Sequence, residues 1–149
     1  MSFFKNIIPA LAGSIALNII HELARKRSND VPQINEVAEE GIEKAWLAAG
    51  SKPPQGNNLY GIALTSDIIA NTAFFRTISG ETPKETLTKG LLLGAAAGIG
   101  ALTLTEPLGL DDKPVNRNPK VQALTILYYV VGGLVTAGVY NAINRDGTT

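Results

Sequence analysis

One carboxylate stands inside an otherwise apolar stretch of this chain, Asp67 within NNLYGIALTSDIIAN. A charged side chain at such a depth costs about 3 kcal/mol unless it is paired, protonated or hydrated, so Asp67 is the first residue to question for chemistry. Asn71 follows one helical turn later on the same face. Two other apolar stretches offer polar groups at a matching depth: Asn18 and His21 in the first, Thr125, Tyr128 and Tyr129 in the last. If these faces converge, Asn18, His21, Asp67, Asn71, Tyr128 and Tyr129 form one intramembrane polar cluster. Its chemistry would be that of a group that titrates, or that holds a cation, a quinone hydroxyl or a lipid headgroup. The plainer alternative is structural: Asp67 as buried glue, hydrogen-bonded to Asn18, His21 or a tyrosine hydroxyl. A third arrangement uses His21, Glu22 and Asp67 as acid–base groups acting on lipid or quinone, although no nucleophile motif accompanies them.

Composition removes many other chemistries. The chain has no cysteine, which excludes disulfides, thiolate nucleophiles, iron–sulfur clusters and thiolate zinc sites. Its single histidine, His21, cannot form a multi-histidine metal centre or bis-histidine haem within one chain. Asp111-Asp112 is an acidic pair too small to make a metal site alone. The GETPK stretch, 80–84, has neither the glycine spacing nor the Lys-Ser/Thr ending of a phosphate loop. No metal and no cofactor is expected. Acids and bases balance at 13 each, and the longest basic run is Arg25-Lys26-Arg27, so a nucleic-acid partner is not expected. That triplet instead flanks an apolar run, as basic residues do at a membrane surface.

The elements that must position these groups are membrane helices. Charged residues make up 17% of the chain, below the roughly 25% of soluble domains. Residues 121–144 carry no charge at all. A helix needs roughly 20 apolar residues to cross the hydrocarbon core, and 149 residues can hardly bury such a segment in a soluble core. We expect an all-α fold in a single domain: a four-helix transmembrane bundle with spans at about 3–23, 59–78, 86–105 and 121–143. The first run resembles a leader peptide in having Lys5 before it and Ala10-Leu11-Ala12 within it. The small-residue site comes too early, however, because the apolar run continues to Ile20, so we expect a retained span. Pro9 is expected in an early turn, where its missing N–H costs little.

Four spans put both termini on one side, here side A, and segments 25–57 and 108–120 on side B. Side B is the more basic and follows the first span directly with Arg25-Lys26-Arg27, which predicts that it is cytoplasmic and that both termini are non-cytoplasmic. Between spans one and two, residues 33–49 read as an amphipathic interfacial helix. Ile34, Val37, Ala38, Ile42, Ala45, Trp46 and Ala49 fall on one face, and Glu36, Glu39, Glu40 and Glu43 on the other. It is expected either to dock a partner through its acidic face or to lie over the bundle with that face solvated. Span three repeats glycine every four residues at Gly90, Gly94 and Gly98. Gly132 with Thr136, and Gly133 with Ala137, give span four similar surfaces. Small residues at this spacing let helix backbones approach closely, and packing within the bundle is expected.

The stretches ALNIIHELARK, NNLYGIALTSDIIAN and GLLLGAAAGIGALTLTEPLGL resemble small uncharacterised bacterial inner-membrane proteins of four spans. The resemblance implies a multi-pass location in the bacterial inner (cytoplasmic) membrane. It carries no known activity and transfers no catalytic residue. Short loops, sparse catalytic chemistry and abundant small-residue faces lead us to expect a non-catalytic accessory or scaffold subunit of a larger membrane complex, with energy transduction as one setting. Its partners would be the lipid bilayer and other membrane protein subunits. The competing expectations are a small transporter or proton/ion-handling protein centred on Asp67, and a lipid- or quinone-modifying enzyme.

Overall fold

A computed structural model describes residues 2–145, which form six helices and no strand. They are α1 (Ser2–Arg25), α2 (Ile34–Ala48), α3 (Gly56–Phe75), α4 (Pro83–Thr103), the single turn α5 (Lys113–Asn116) and α6 (Pro119–Arg145). Met1 and residues 146–149, where the expectation about the termini falls, lie outside the described residues. Three helices, α1, α4 and α6, are long and apolar enough to cross a membrane, and they mark the chain as a membrane protein. Their outward faces carry exposed Ile8, Ile19, Leu91, Leu92 and Leu127, side chains suited to lipid contact.

The expected second span, α3, has 20 residues and so about 30 Å of length, but it is not among the helices apolar enough to cross by composition. Asn57, Asn58, Asp67 and Asn71 lower its hydropathy. Its ends are displaced from the expected 59–78 because Arg76 caps it and Thr77 and Ile78 already belong to a turn. The next helix starts at Pro83 for a local reason. Thr82 Oγ1 accepts from the Glu85 amide at 3.2 Å, and the Glu85 carboxylate accepts from the Glu81 amide at 3.0 Å. This is a helix N-terminus closed reciprocally, with proline at its first position. It is also the role of the GETPK stretch. One expectation about α1 needs correcting: the helix begins at Ser2, so Pro9 lies beyond the first turn and deprives an inner carbonyl of its donor.

The helices run alternately up and down and form a row rather than a closed bundle. α4 packs along α6, α6 along α1, and α1 along α3, while α3 and α4 barely touch. Glycine makes the first two contacts close. A Cβ on Gly94 would sit 2.7 Å from the Tyr129 carbonyl oxygen, and one on Gly98 would sit 2.6 Å from Ile126 Cα. Gly90 abuts the Gly133 backbone and Ala137, while Gly13 abuts Gly132 and Thr136. The two small-residue faces of α6 therefore serve two partners, Gly133 and Ala137 turning to α4, Gly132 and Thr136 to α1.

At the end where α1 stops and α6 starts, the connections are tied together. Arg117 donates to the carbonyls of Asn29 (2.6 Å) and Val31 (2.8 Å). The Asp30 carboxylate accepts from Lys120 at 2.9 Å and from the Asn118 amide group at 3.2 Å, and these donors hold its pKa below the ordinary carboxylate range. The outer face of α2 is fastened to the 109–111 turn. Lys44 lies 2.6 Å from Glu40 and donates to the Gly109 carbonyl, and Glu40 accepts from the Asp111 amide at 2.8 Å. Lys44 first, and then the Asp111 amide, hold the Glu40 carboxyl below its usual range.

Candidate functional site

Two helical periodicities build the polar seam. On α1, Ser14, Asn18, His21 and Arg25 recur at three- and four-residue steps and so share a face. On α3, Tyr60, Asp67 and Asn71 stand seven and then four residues apart and likewise share a face. The antiparallel packing of α1 on α3 brings the two stripes together. Asp67 Oδ2 accepts from Asn18 Nδ2 and from Asn71 Nδ2, each at 2.9 Å. Asn18 Nδ2 also donates to the Ser14 carbonyl at 3.0 Å, and Ser14 Oγ crosses to the Ile68 carbonyl at 3.1 Å. Of the expected cluster, then, Asn18, Asp67 and Asn71 are directly joined.

His21 does something else. It is 2% exposed, and its Nε2 accepts the backbone N–H of Ile34 at 3.1 Å. That N–H opens α2, whose preceding residue, Gln33, makes no side-chain cap. His21 therefore supplies the missing cap from a different helix, and this geometry requires an unprotonated Nε2. Tyr128 and Tyr129 are buried in the apolar core, and neither hydroxyl bonds Asp67 among the described residues. Thr125, at the same level in the sequence, instead bonds the Val115 and Val121 carbonyls at 3.2 and 2.8 Å.

Towards the end of α1 the seam continues as a charged group. The Tyr60 hydroxyl donates to Glu22, Arg25 Nε donates to the same carboxylate oxygen at 2.8 Å, and the guanidinium lies over the Tyr60 ring at 5.3 Å. Tyr60, Ser14 and the His21–Ile34 bond were not anticipated. The stripe spacing contained the signal for Tyr60 and Ser14, since both stand at helical steps from residues already singled out. The His21 bond depends on how the 26–33 connection folds back, which spacing does not encode.

Between α1, α2 and α3 remains a cavity of about 10 Å³, lined by Asn18, His21, Glu22, Asn35, Tyr60 and Asp67 among others. That is space for one water at most. Asn35 Oδ1 is buried there without a partner among the described residues, while its amide nitrogen donates to Glu39 at 3.1 Å. His21, Glu22 and Asp67 thus line one cavity, but it admits nothing larger than water. Ile34, Asn35 and Ala38 of α2 also line this cavity, so α2 covers part of the half-buried Asp67. No group of three or more histidine, aspartate or glutamate side chains that could hold a metal occurs among the described residues. Compared with known proteins, the chain matches no family model, no curated protein and no solved structure.

Proposed function

We propose that this chain is a non-catalytic scaffold subunit of a larger membrane complex, with four spans, in a bacterial inner membrane. One observation carries the reading: the polar groups at depth are spent on joining helices. Asp67 is held by two asparagine amides, Asn18 and Ser14 bridge α1 to α3, and His21 caps α2. The cavity they leave admits one water, which is too little for a substrate or a continuous path. The row of helices gives a broad lateral surface for neighbouring subunits. The tied connections at the α1–α6 end hold α2, on which Glu36 is exposed and Glu39 and Glu43 are half-buried. On this reading α3 is the second of four spans, its polar half covered by α1 and α2.

Native mass measurement after gentle solubilisation tests the proposal. A stable assembly containing defined partner subunits is the expected result, and a lone 15.7 kDa chain under conditions that preserve known complexes would defeat it. The proton- or ion-handling alternative keeps one specific support, the water-sized space against Asp67. It predicts that Asp67→Asn abolishes a flux across reconstituted vesicles while the helices stay folded.

A further inference from the structure

Beyond the polar seam, toward the Arg76 end of α3, α1 and α3 leave an open apolar groove of about 250 Å³ between them. Its walls are Ile7, Leu11, Ile68, Ile69 and Ala73, and Ile69 is 64% exposed. The groove ends at Arg76, the cap residue of α3. Arg76 also lines a second, polar cleft of about 350 Å³ with Phe3, Asn6 and Thr77. One exposed guanidinium thus joins an apolar channel to a polar recess at the end of the helix pair. Arg76 makes no ion pair with a carboxylate among the described residues, unlike Lys44, Lys89 and Lys120. Thr72 Oγ1, in the groove wall, is buried with no hydrogen-bond partner among the described residues.

We propose that this composite groove holds one anionic glycerophospholipid. An acyl chain lies against Ile69 and Ala73, and the phosphate is bound by Arg76 with Asn6 and Thr77 beside it. The order of features fits that occupant: an apolar trough long enough to run along two helix turns, then a cation at the helix end that pairs with no carboxylate among the described residues, then the side-chain amide of Asn6. A guanidinium matches a phosphate with two parallel hydrogen bonds, and a lipid tail supplies what the isoleucines lack on their open side. The inference rests on α3 crossing the membrane, because only then does the trough face acyl chains.

The test uses the full chain reconstituted in vesicles of equal parts phosphatidylglycerol and phosphatidylcholine, followed by native mass spectrometry of the released protein. The wild type is expected to retain one phosphatidylglycerol in preference. Arg76→Gln should lower that preference about fivefold, the effect of one basic residue at a membrane surface, while Arg76→Lys keeps most of it. Ala73→Trp fills the trough and should reduce retention of both lipids alike. Equal retention of phosphatidylglycerol by wild type and Arg76→Gln, both melting normally, overturns the site. The spanning of α3 is read separately by placing single cysteines at Lys52 and Lys84 in this cysteine-free chain and labelling them with an impermeant maleimide. Labelling from opposite sides combined with unchanged lipid retention overturns the groove alone. Labelling from the same side overturns both the spanning of α3 and the groove.

Discussion

Asp67 illustrates how a residue that invites a catalytic explanation can be accounted for by its hydrogen bonds. Its Oδ2 is the shared acceptor for two buried asparagine amides, so removing the acceptor strands two donors rather than one. An unsatisfied buried donor costs about 1–3 kcal/mol. Asp67→Ala is therefore expected to lose at least about 2 kcal/mol, seen as a large drop in the unfolding midpoint in detergent. Asp67→Asn retains a carbonyl oxygen in the same place and should lose clearly less. Equal losses for the two variants would show that the carboxylate charge, rather than the acceptor, matters. His21 has a comparable duty at a different address. His21→Ala should leave the Ile34 amide without its acceptor and speed hydrogen exchange across the first turn of α2, with α1 unaffected.

Among the elements, the α4–α6 contact is the one most sensitive to volume. No neighbour lies within 4 Å of a Cβ added at Gly61 or Gly138, whereas Gly94 would drive a Cβ into the Tyr129 carbonyl at 2.7 Å. Gly94→Ala is expected to destabilise by about 1–3 kcal/mol through forced separation of the two backbones. Gly61→Ala should be neutral or slightly stabilising, since alanine favours helix. A melting series across the two variants checks the contrast. The glycine spacing in α4 and α6 was readable from sequence because four-residue repeats place residues on one helix face whatever the surroundings. The amphipathic helix was equally legible, expected at 33–49 and found at Ile34–Ala48, because its charge pattern is local. The partners were less so. Which face of α6 meets α1 and which meets α4 depends on the order of helices in the row. Gly13, which lacks a four-residue glycine repeat of its own, gave no sign of its contact with Gly132 and Thr136. Of the six polar residues expected to cluster, Asn18, Asp67 and Asn71 are directly joined, and the reason is the same. Depth along a helix can be counted, but rotation about its axis cannot, and Tyr128 and Tyr129 turn into the apolar core.

For the molecule as a whole, the loops at the α1–α6 end act as a clasp whose strength follows pH. Asp30 and Glu40 both have folded pKa values depressed by their partners. Groups of this kind contribute fully above the unfolded carboxylate values of about 4, and the contribution is lost as pH falls through the lower folded values. Acidification below about pH 4 should therefore loosen the 109–120 segment from α2 and from the 29–31 connection before the helices separate. The resonance of the Asp111 amide proton, which Glu40 accepts, should report the event by shifting with an apparent midpoint below that of an ordinary glutamate.

The row order also governs how the protein can be made. Of the six described helices α1 leaves the ribosome before the others, yet one of its two long neighbours is α6, the last of the six to follow. α4 likewise waits for α6, since its glycine face has no other companion. Until the final helix enters the bilayer, α1 and α4 each present a smooth small-residue strip to whatever is nearby. A chain interrupted before residue 119 would be left with two unmet faces. In a cell, that half-made state is what an insertion chaperone or a membrane protease would encounter.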